Sequence, residues 1–353
     1  MKRNWEPKDI DKAFFDVGLK DLQVFIGKEW QKVKGYRAVV NFDDEEVISI
    51  VTNKYHLVTN LEAYNIADHV VKVLFPGASL KDFECYNLVM SQSKGSCRMD
   101  LIIPSSKESP FGDESDPWTP FVRISNSYNR KIKLHYEIGF CRWICLNGVI
   151  FNQKGIDVSL NHSTKISKDK IIDQIRQQAI ELKSVRDMWN ELKRKLNILR
   201  EIEMTSSMAL PMFCRAFNVK IDKKTIKERK KNELRAKAKL IKKLSEDYFK
   251  EMGNNAYAIF NVLTDYATYP DYAPNTYTTI HSNQRTVGNW ADELIKKSSN
   301  NNFSMSEFIG GTAQDNAYYM ESLIENENKY SRNNNNLWQQ EARKKSYLKL
   351  YGR

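Results

Sequence analysis

The alternation of apolar and polar positions marks out the first elements. Across residues 36–58 the runs YRAVVNF, EVISIV and YHLVT are rich in β-branched and aromatic residues and are broken at Asp43-Asp44 and Asn53-Lys54. This pattern predicts three strands joined by tight turns. Thr59 or Asn60 then precedes a stretch in which Leu61, Tyr64, Ala67, Val70 or Val71, and Leu74 recur at helical spacing. A side-chain oxygen ahead of such a stripe is an N-cap, so a helix packed on the sheet is expected here, with His69 as one of its surface residues.

Two more strands are predicted near 84–91 and 96–103. In the second, Cys97, Met99, Leu101 and Ile103 alternate with Arg98 and Asp100, a period of two that argues for one buried face. Residues 104–120 hold four prolines, a glycine and several acids and read as a loop; Asp113, Glu114 and Asp116 there suit solvent better than a metal. Then come PFVRIS, the turn-forming NSYN, and a return strand in which Ile132, Leu134, Tyr136, Ile138 and Phe140 alternate with Lys133, His135 and Glu137. A hairpin with its even-numbered face buried is predicted, covered on both sides beyond Phe140, where Cys141, Trp143 and Cys145 join the apolar set.

From Lys168 the period becomes helical. Ile172, Ile175, Ala179, Leu182, Trp189, Leu192, Leu196 and Leu199 predict one long amphipathic helix over about 168–205. Pro211 interrupts a shorter apolar piece, and a helix carrying Ala258, Val262, Asp265 and Tyr266 is expected to end before Pro270. Asparagine runs at 300–302 and 333–336 mark a polar tail with little core to contribute. The expectation is an α+β chain: an antiparallel β-meander sheet packed with helices, followed by a mainly helical C-terminal half. It divides into a sheet domain over 1–165, a helical region over 166–297 and a tail over 298–353.

Charge adds a partner class. The 353-residue chain carries a net charge of +11, and Lys220 to Lys243 alone holds 12 Lys/Arg against 3 Asp/Glu, a balance of 12 − 3 = +9. A segment of that kind suits a polyanion, or else is a solvated helical face. No apolar run approaches the ~18 residues of a membrane span, and Met1 to Lys12 lacks the apolar stretch of a secretion signal, so a cytoplasmic protein is expected. Five cysteines in no framework spacing fit reduced thiols; Cys141 and Cys145 with His135 or His162 make only a weak zinc signal.

TNKYHLVTNLEAYNIAD (52–68), FVRISNSYNRKIKLHYEIGFCRWICLNG (121–148), NHST (161–164) and AYAIFNVLTDYATYP (256–270) together resemble the phage and plasmid-like proteins of domain-of-unknown-function family 932. The resemblance covers about residues 36–290. It rests on Asn53, Tyr55, Asn60, Glu62, Ala63 and Tyr64, on Ser125, Asn126, Ser127, Arg142, Cys145 and Asn147, and on Asn261, Val262, Thr264, Asp265 and Tyr266. Tyr128-Asn129-Arg130 replaces the family's His-Asp-Gly turn, which puts in doubt any chemistry that needs those side chains. The resemblance implies a mobile-element setting, hence a host cytoplasm, and its strand-and-helix order is distantly similar to Rad52-type single-strand annealing proteins, a fold-level analogy.

The expected function is therefore binding, and annealing, of single-stranded nucleic acid, single-stranded DNA above all, by a self-associating protein. The expected contacts are Arg123, Asn126, Tyr128, Arg130, Lys131 and Lys133 at the hairpin and Lys223, Lys224, Lys227, Arg229, Lys230 and Lys231 in the basic segment, with Tyr128 stacking a base and the cations holding phosphates. No catalytic residue, metal or cofactor is expected. One alternative is a metal-dependent nuclease with ligands among Glu84, Asp100, Asp113, Asp116, His135 and His162, none at diagnostic spacing; no Walker loop, H-E-x-x-H or G-x-S-x-G occurs. The other is a phage structural or host-interaction protein that uses its long helix as a partner surface.

Overall fold

A computed structural model describes residues 6–112, 114, 116–150, 158–160, 169, 172–174, 177, 185–269 and 277–327. The chain is α+β, with antiparallel sheets in its N-terminal half and a mainly helical C-terminal half. It forms two compact units, one of residues 1–201 with 263–295 and the other of 202–262 with 296–353, which differs from the sequential division at 165 and 297. The departure arises because residues far along the chain return to the first sheet-bearing unit, as the hydrogen bonds described below require.

The first unit holds two sheets. Strands β1 (Val17–Ile26), β2 (Glu29–Asn41) and β3 (Glu46–Thr52) form a meander. β1 and the first half of β2 escape the sequence reading, because their distal halves are largely exposed and alternate charged with apolar residues; Phe25, Ile26 and Trp30 stand in solvent there. The third predicted strand, at YHLVT, is instead a non-strand connection into the helix.

β4 (Glu84–Met90), β5 (Ser96–Ile102), β6 (Trp118–Ser127), β7 (Leu134–Arg142) and β8 (Asn147–Val149) follow one another across the second sheet, and β9 (Val158–Leu160) also pairs with β7. Helix α1 (Asn60–Leu74) starts at Thr59, whose hydroxyl accepts from the Glu62 amide while the Glu62 carboxylate accepts from the Thr59 amide. This reciprocal box satisfies two otherwise orphaned donors. Its buried stripe is Ala63, Ile66, Ala67, Val70, Val71 and Leu74; the period is as predicted but displaced, since Leu61 is exposed.

The face of β6 and β7 that carries Tyr136 turns toward α1, where the Tyr136 hydroxyl donates to the Ala63 carbonyl at 2.8 Å. Helix α6 (Tyr277–Ser298) supplies partners to the opposite face. With both faces covered, β5, β6 and β7 are buried almost throughout, so the expectation of a single buried face is corrected. Helix α2 (Val185–Glu201) is the described part of the predicted long helix and buries Met188, Trp189, Leu192, Leu196 and Leu199; most of 168–184 lies outside the described residues.

The second unit is helical. α3 (Ala209–Ala216) accommodates Pro211 in its first turn, where no amide partner is lost, so Pro211 opens the helix and does not interrupt it. α4 (Glu228–Met252) carries most of the basic segment and buries Leu234, Ala238, Ile241, Leu244 and Tyr248. α5 (Ala256–Thr268), predicted from AYAIFNVLTDYATYP, runs from this unit into the first. Beyond the 300–302 asparagines, α7 (Met305–Ile309) and a helix over 311–327, α8, bury Phe308, Ile309, Ala317, Met320 and Leu323. The part of the tail up to 327 therefore contributes to the core, held also by Asn316 Nδ2 on the Val219 carbonyl and Arg235 on the Leu323 carbonyl. The second asparagine run lies outside the described residues.

Candidate functional site

Strand register gathers charge at the centre of the second sheet. Asp100 on β5 pairs with Arg123 on β6, which pairs with Glu137 on β7; one step along, Arg98 pairs with Ser125 and Ser125 with His135. Residues two apart in a strand share a face, so all six point to the side opposite α1. From α6, His281, Gln284 and Arg285 meet them, at the i, i+3 and i+4 spacing that puts three side chains on one helix face.

The ion pairs are close and almost fully buried. Arg123 donates to both Asp100 oxygens, at 2.7 and 3.0 Å, and to Gln284 Oε1 at 2.7 Å. Arg98 approaches the same Asp100 carboxylate at 3.5 Å, and Asn87 donates to it at 3.3 Å. Glu137 accepts from Arg285 at 3.0 and 3.2 Å through Oε1, while its Oε2 lies 3.0 Å from His281 Nε2 and 3.7 Å from Arg123. Gln284 in turn donates to Thr268 Oγ1, which accepts from the Gly148 amide. A Cβ at Gly148 would sit 2.6 Å from the Gln284 amide nitrogen, so a side chain there would collide with this contact.

Burial alone would push both carboxylates toward protonation. Against it, Arg123 and Arg98 hold Asp100 below the usual carboxylate range. For Glu137, burial is outweighed by the His281 hydrogen bond and the charges of Arg123, His281 and His135, which bring it down to about 2. Asp100 and Glu137 are thus ionised. His135, Glu137 and His281 each offer a nitrogen or oxygen ligand atom, all within 4.8 Å of one another.

The expected hairpin site divides. Arg123 is spent on Asp100 and Gln284 and is 0% exposed, which removes it as a phosphate contact. Asn126, also buried, donates to the Val58 carbonyl and Asn60 Oδ1. Tyr128 is not the exposed stacking aromatic expected: it packs with Val17, Val39, Val51 and Tyr55, and its hydroxyl accepts from the Asn60 amide at 2.9 Å. Ser127 closes the same turn by accepting from the Ile132 amide. Asn126 and Ser127 therefore form a clasp between turn and helix start. Arg130, Lys131 and Lys133 are exposed beside it.

Other candidate ligands are engaged elsewhere. Asp116 pairs with Arg142 at 2.5 Å, and Arg142 also reaches Cys145 Sγ at 3.9 Å. Asp113 and His162 lie outside the described residues. The sequence reading missed Glu137 and His281 as site residues. The available signal was the recurrence of polar or ionisable side chains at i, i+2 in three otherwise apolar strands: Arg98 and Asp100, Arg123 and Ser125, His135 and Glu137.

In the second unit, Lys223, Lys224, Lys227, Arg229 and Lys230 are exposed and Lys231 is half-buried. Three acids on and near α4 are already taken: Glu228 by Lys231, Glu233 by Lys230 and Lys237, Glu327 by Lys239. Lys220, Lys224, Lys227, Arg229, Lys242 and Lys243 have no ion-pair partner among the described residues. Lys223 lies over the Tyr319 ring at 5.7 Å, and the neighbouring Tyr318 is 69% exposed.

No helix among the described residues is long and apolar enough to cross a membrane. No curated protein and no solved structure matches the chain. The family described as Domain of unknown function (DUF932) matches residues 47–287, a span that contains the whole buried polar row, the Asn126 clasp and the 220–243 cations but leaves out the β1–β2 hairpin. With well over half its length inside that match, the chain belongs to the DUF932 family.

Proposed function

We propose that the protein binds single-stranded nucleic acid through the second unit, with Lys220, Lys223, Lys224, Lys227 and Arg229 holding phosphates and Tyr318 and Tyr319 offering rings to bases. The observation that carries this reading is the run of exposed cations that nearby acids do not neutralise, set beside the exposed Tyr318 and the half-buried Tyr319. Cations that displace counterions from phosphates and aromatics that stack bases are the two parts sequence-independent single-strand binding needs. Tyr318 and Tyr319 take the stacking role that burial denies to Tyr128.

Strand annealing in a mobile element is the finer form of this reading, and the family resemblance supports it. Annealing requires no covalent step. It goes with self-association, for which Phe25, Ile26 and Trp30 at the end of the β1–β2 hairpin provide exposed apolar surface.

The test is fluorescence anisotropy with labelled single-stranded and duplex oligonucleotides over a range of salt. Tighter binding to single strands is expected, with a log–log salt slope of about 0.7 per phosphate contacted. Replacing Lys223, Lys224, Lys227 and Arg229 together by Gln should weaken binding and flatten that slope by about 3. An unchanged slope would remove the segment from the interface.

A further inference from the structure

We propose that His135, Glu137 and His281 bind one divalent transition-metal ion, with zinc as the first candidate. The proposal stands apart from the nucleic-acid reading, since its residues belong to the first unit and the phosphate-holding cations to the second.

The donor set comes from geometry. His135 and Glu137 are two residues apart on β7, and pairing of their strand with β6 fixes them on one face. His281 comes down from α6, its ring meeting that of His135 edge-on with centroids 6.2 Å apart. The three ligand atoms lie within 4.8 Å of one another, and His281 Nε2 is 3.0 Å from Glu137 Oε2. Ligand atoms around a tetrahedral zinc, with bonds of about 2.0–2.1 Å, stand about 3.3 Å apart. Only a modest contraction, in the pairs that involve His135, separates the cluster from that spacing, since His281 and Glu137 already stand at 3.0 Å.

The surroundings fit a ligand set as well. A metal-bound carboxylate is ordinarily held from behind by a hydrogen-bond donor. Arg285 does this here, gripping Oε1 with two N–H groups and leaving Oε2 toward the histidines. Arg123, the other cation near Oε2, is held by the Asp100 carboxylate, which it shares with Arg98. Two imidazoles and one carboxylate, with no thiolate among them, favour zinc, manganese or iron(II) over soft copper(I) or an all-oxygen calcium site. Three protein ligands leave coordination positions open for water or a bound molecule, and the Arg285 side chain, 40% exposed, connects the cluster to solvent.

The test uses the full chain after chelator treatment, titrated with Zn2+ by calorimetry and with Co2+ by visible absorption. One ion per chain and the strong visible bands of a four- or five-coordinate cobalt site are expected. His281→Gln should lower Zn2+ affinity at least tenfold and abolish the cobalt bands, with the near-ultraviolet circular dichroism unchanged. Arg285→Gln should keep the bands and weaken affinity by about 10- to 100-fold, the usual effect of losing a partner behind a ligand. Absence of stoichiometric binding, or bands that survive His281→Gln, would overturn the proposal. Should His281→Gln fail to fold, the cobalt spectrum of the unaltered protein still decides: only the weak bands of an octahedral aquo ion would overturn it.

Discussion

Arg123 and Arg229 carry the same guanidinium in opposite settings. The first is sealed in the sheet of one unit, bonded to Asp100 and Gln284; the second stands in solvent on α4 of the other. Buried, the charge is fixed in place and its removal leaves a carboxylate stranded in a low-dielectric interior. Exposed, it is screened and replaceable, and it acts by adding to a field. The difference separates the chain's two candidate activities: ordered ligand geometry in the first unit, additive electrostatics in the second.

The largest effect that should follow is on stability. Arg123→Met leaves Asp100 buried without its main partner and should cost about 3–5 kcal/mol, read as a shift of the denaturant midpoint. Replacing both partners, Arg123→Met with Asp100→Leu, should recover only part of that loss, because Arg98, buried against the same carboxylate, then loses it. If the double variant is no more stable than the single one, the loss of Arg98's carboxylate outweighs the release of Asp100.

Acid titration sharpens the same contrast. Asp100 is depressed in the folded state, so its contribution is present above the unfolded carboxylate value and is lost as pH falls through the folded one. The unaltered protein should therefore lose stability as pH drops below about 4, and Asp100→Asn should flatten that dependence. Lys227→Gln should leave the pH profile as it was. Equal profiles for the unaltered protein and Asp100→Asn would deny the pairing.

How far the sequence disclosed this division depends on the kind of signal. The Thr59 start of α1, the alternation in β5 and β7 and the late helix before Pro270 were legible, because cap chemistry and period are local. The burial of Arg98, Asp100 and Arg123 was not, since strand alternation reads a charged position as outward-facing unless a partner in another strand is known. His281 lies 144 positions from Glu137 and no spacing rule connects them. The tail helices were hidden by composition, as asparagines around 300 drew attention from Phe308, Met320 and Leu323.

Tyr128 gives a smaller, cleaner test of that correction. Tyr128→Phe keeps the ring among Val39, Val51 and Tyr55 but removes the oxygen that accepts from Asn60, at an expected cost of about 1–2 kcal/mol. Oligonucleotide affinity measured on the folded fraction should not change. A selective loss of affinity would restore the hairpin as a binding surface.

The finest distinction lies at the start of α4, between its N-cap and its first turn. Lys227 has no acid partner, whereas Lys230 shares Glu233 with Lys237 at 3.0 and 2.7 Å. Exposed pairs of this kind are worth about 0–1 kcal/mol, so neither Lys227→Gln nor Lys230→Gln should move stability by more than about 0.5 kcal/mol. Their effects on binding should differ. A cation already shared with a carboxylate displaces less of the strand's counterion atmosphere, so Lys227→Gln should lower the salt slope by about 0.7 and Lys230→Gln by less. The reverse order would mean that Glu233 releases Lys230 when the strand arrives, and that the interface is centred one helical turn further along α4.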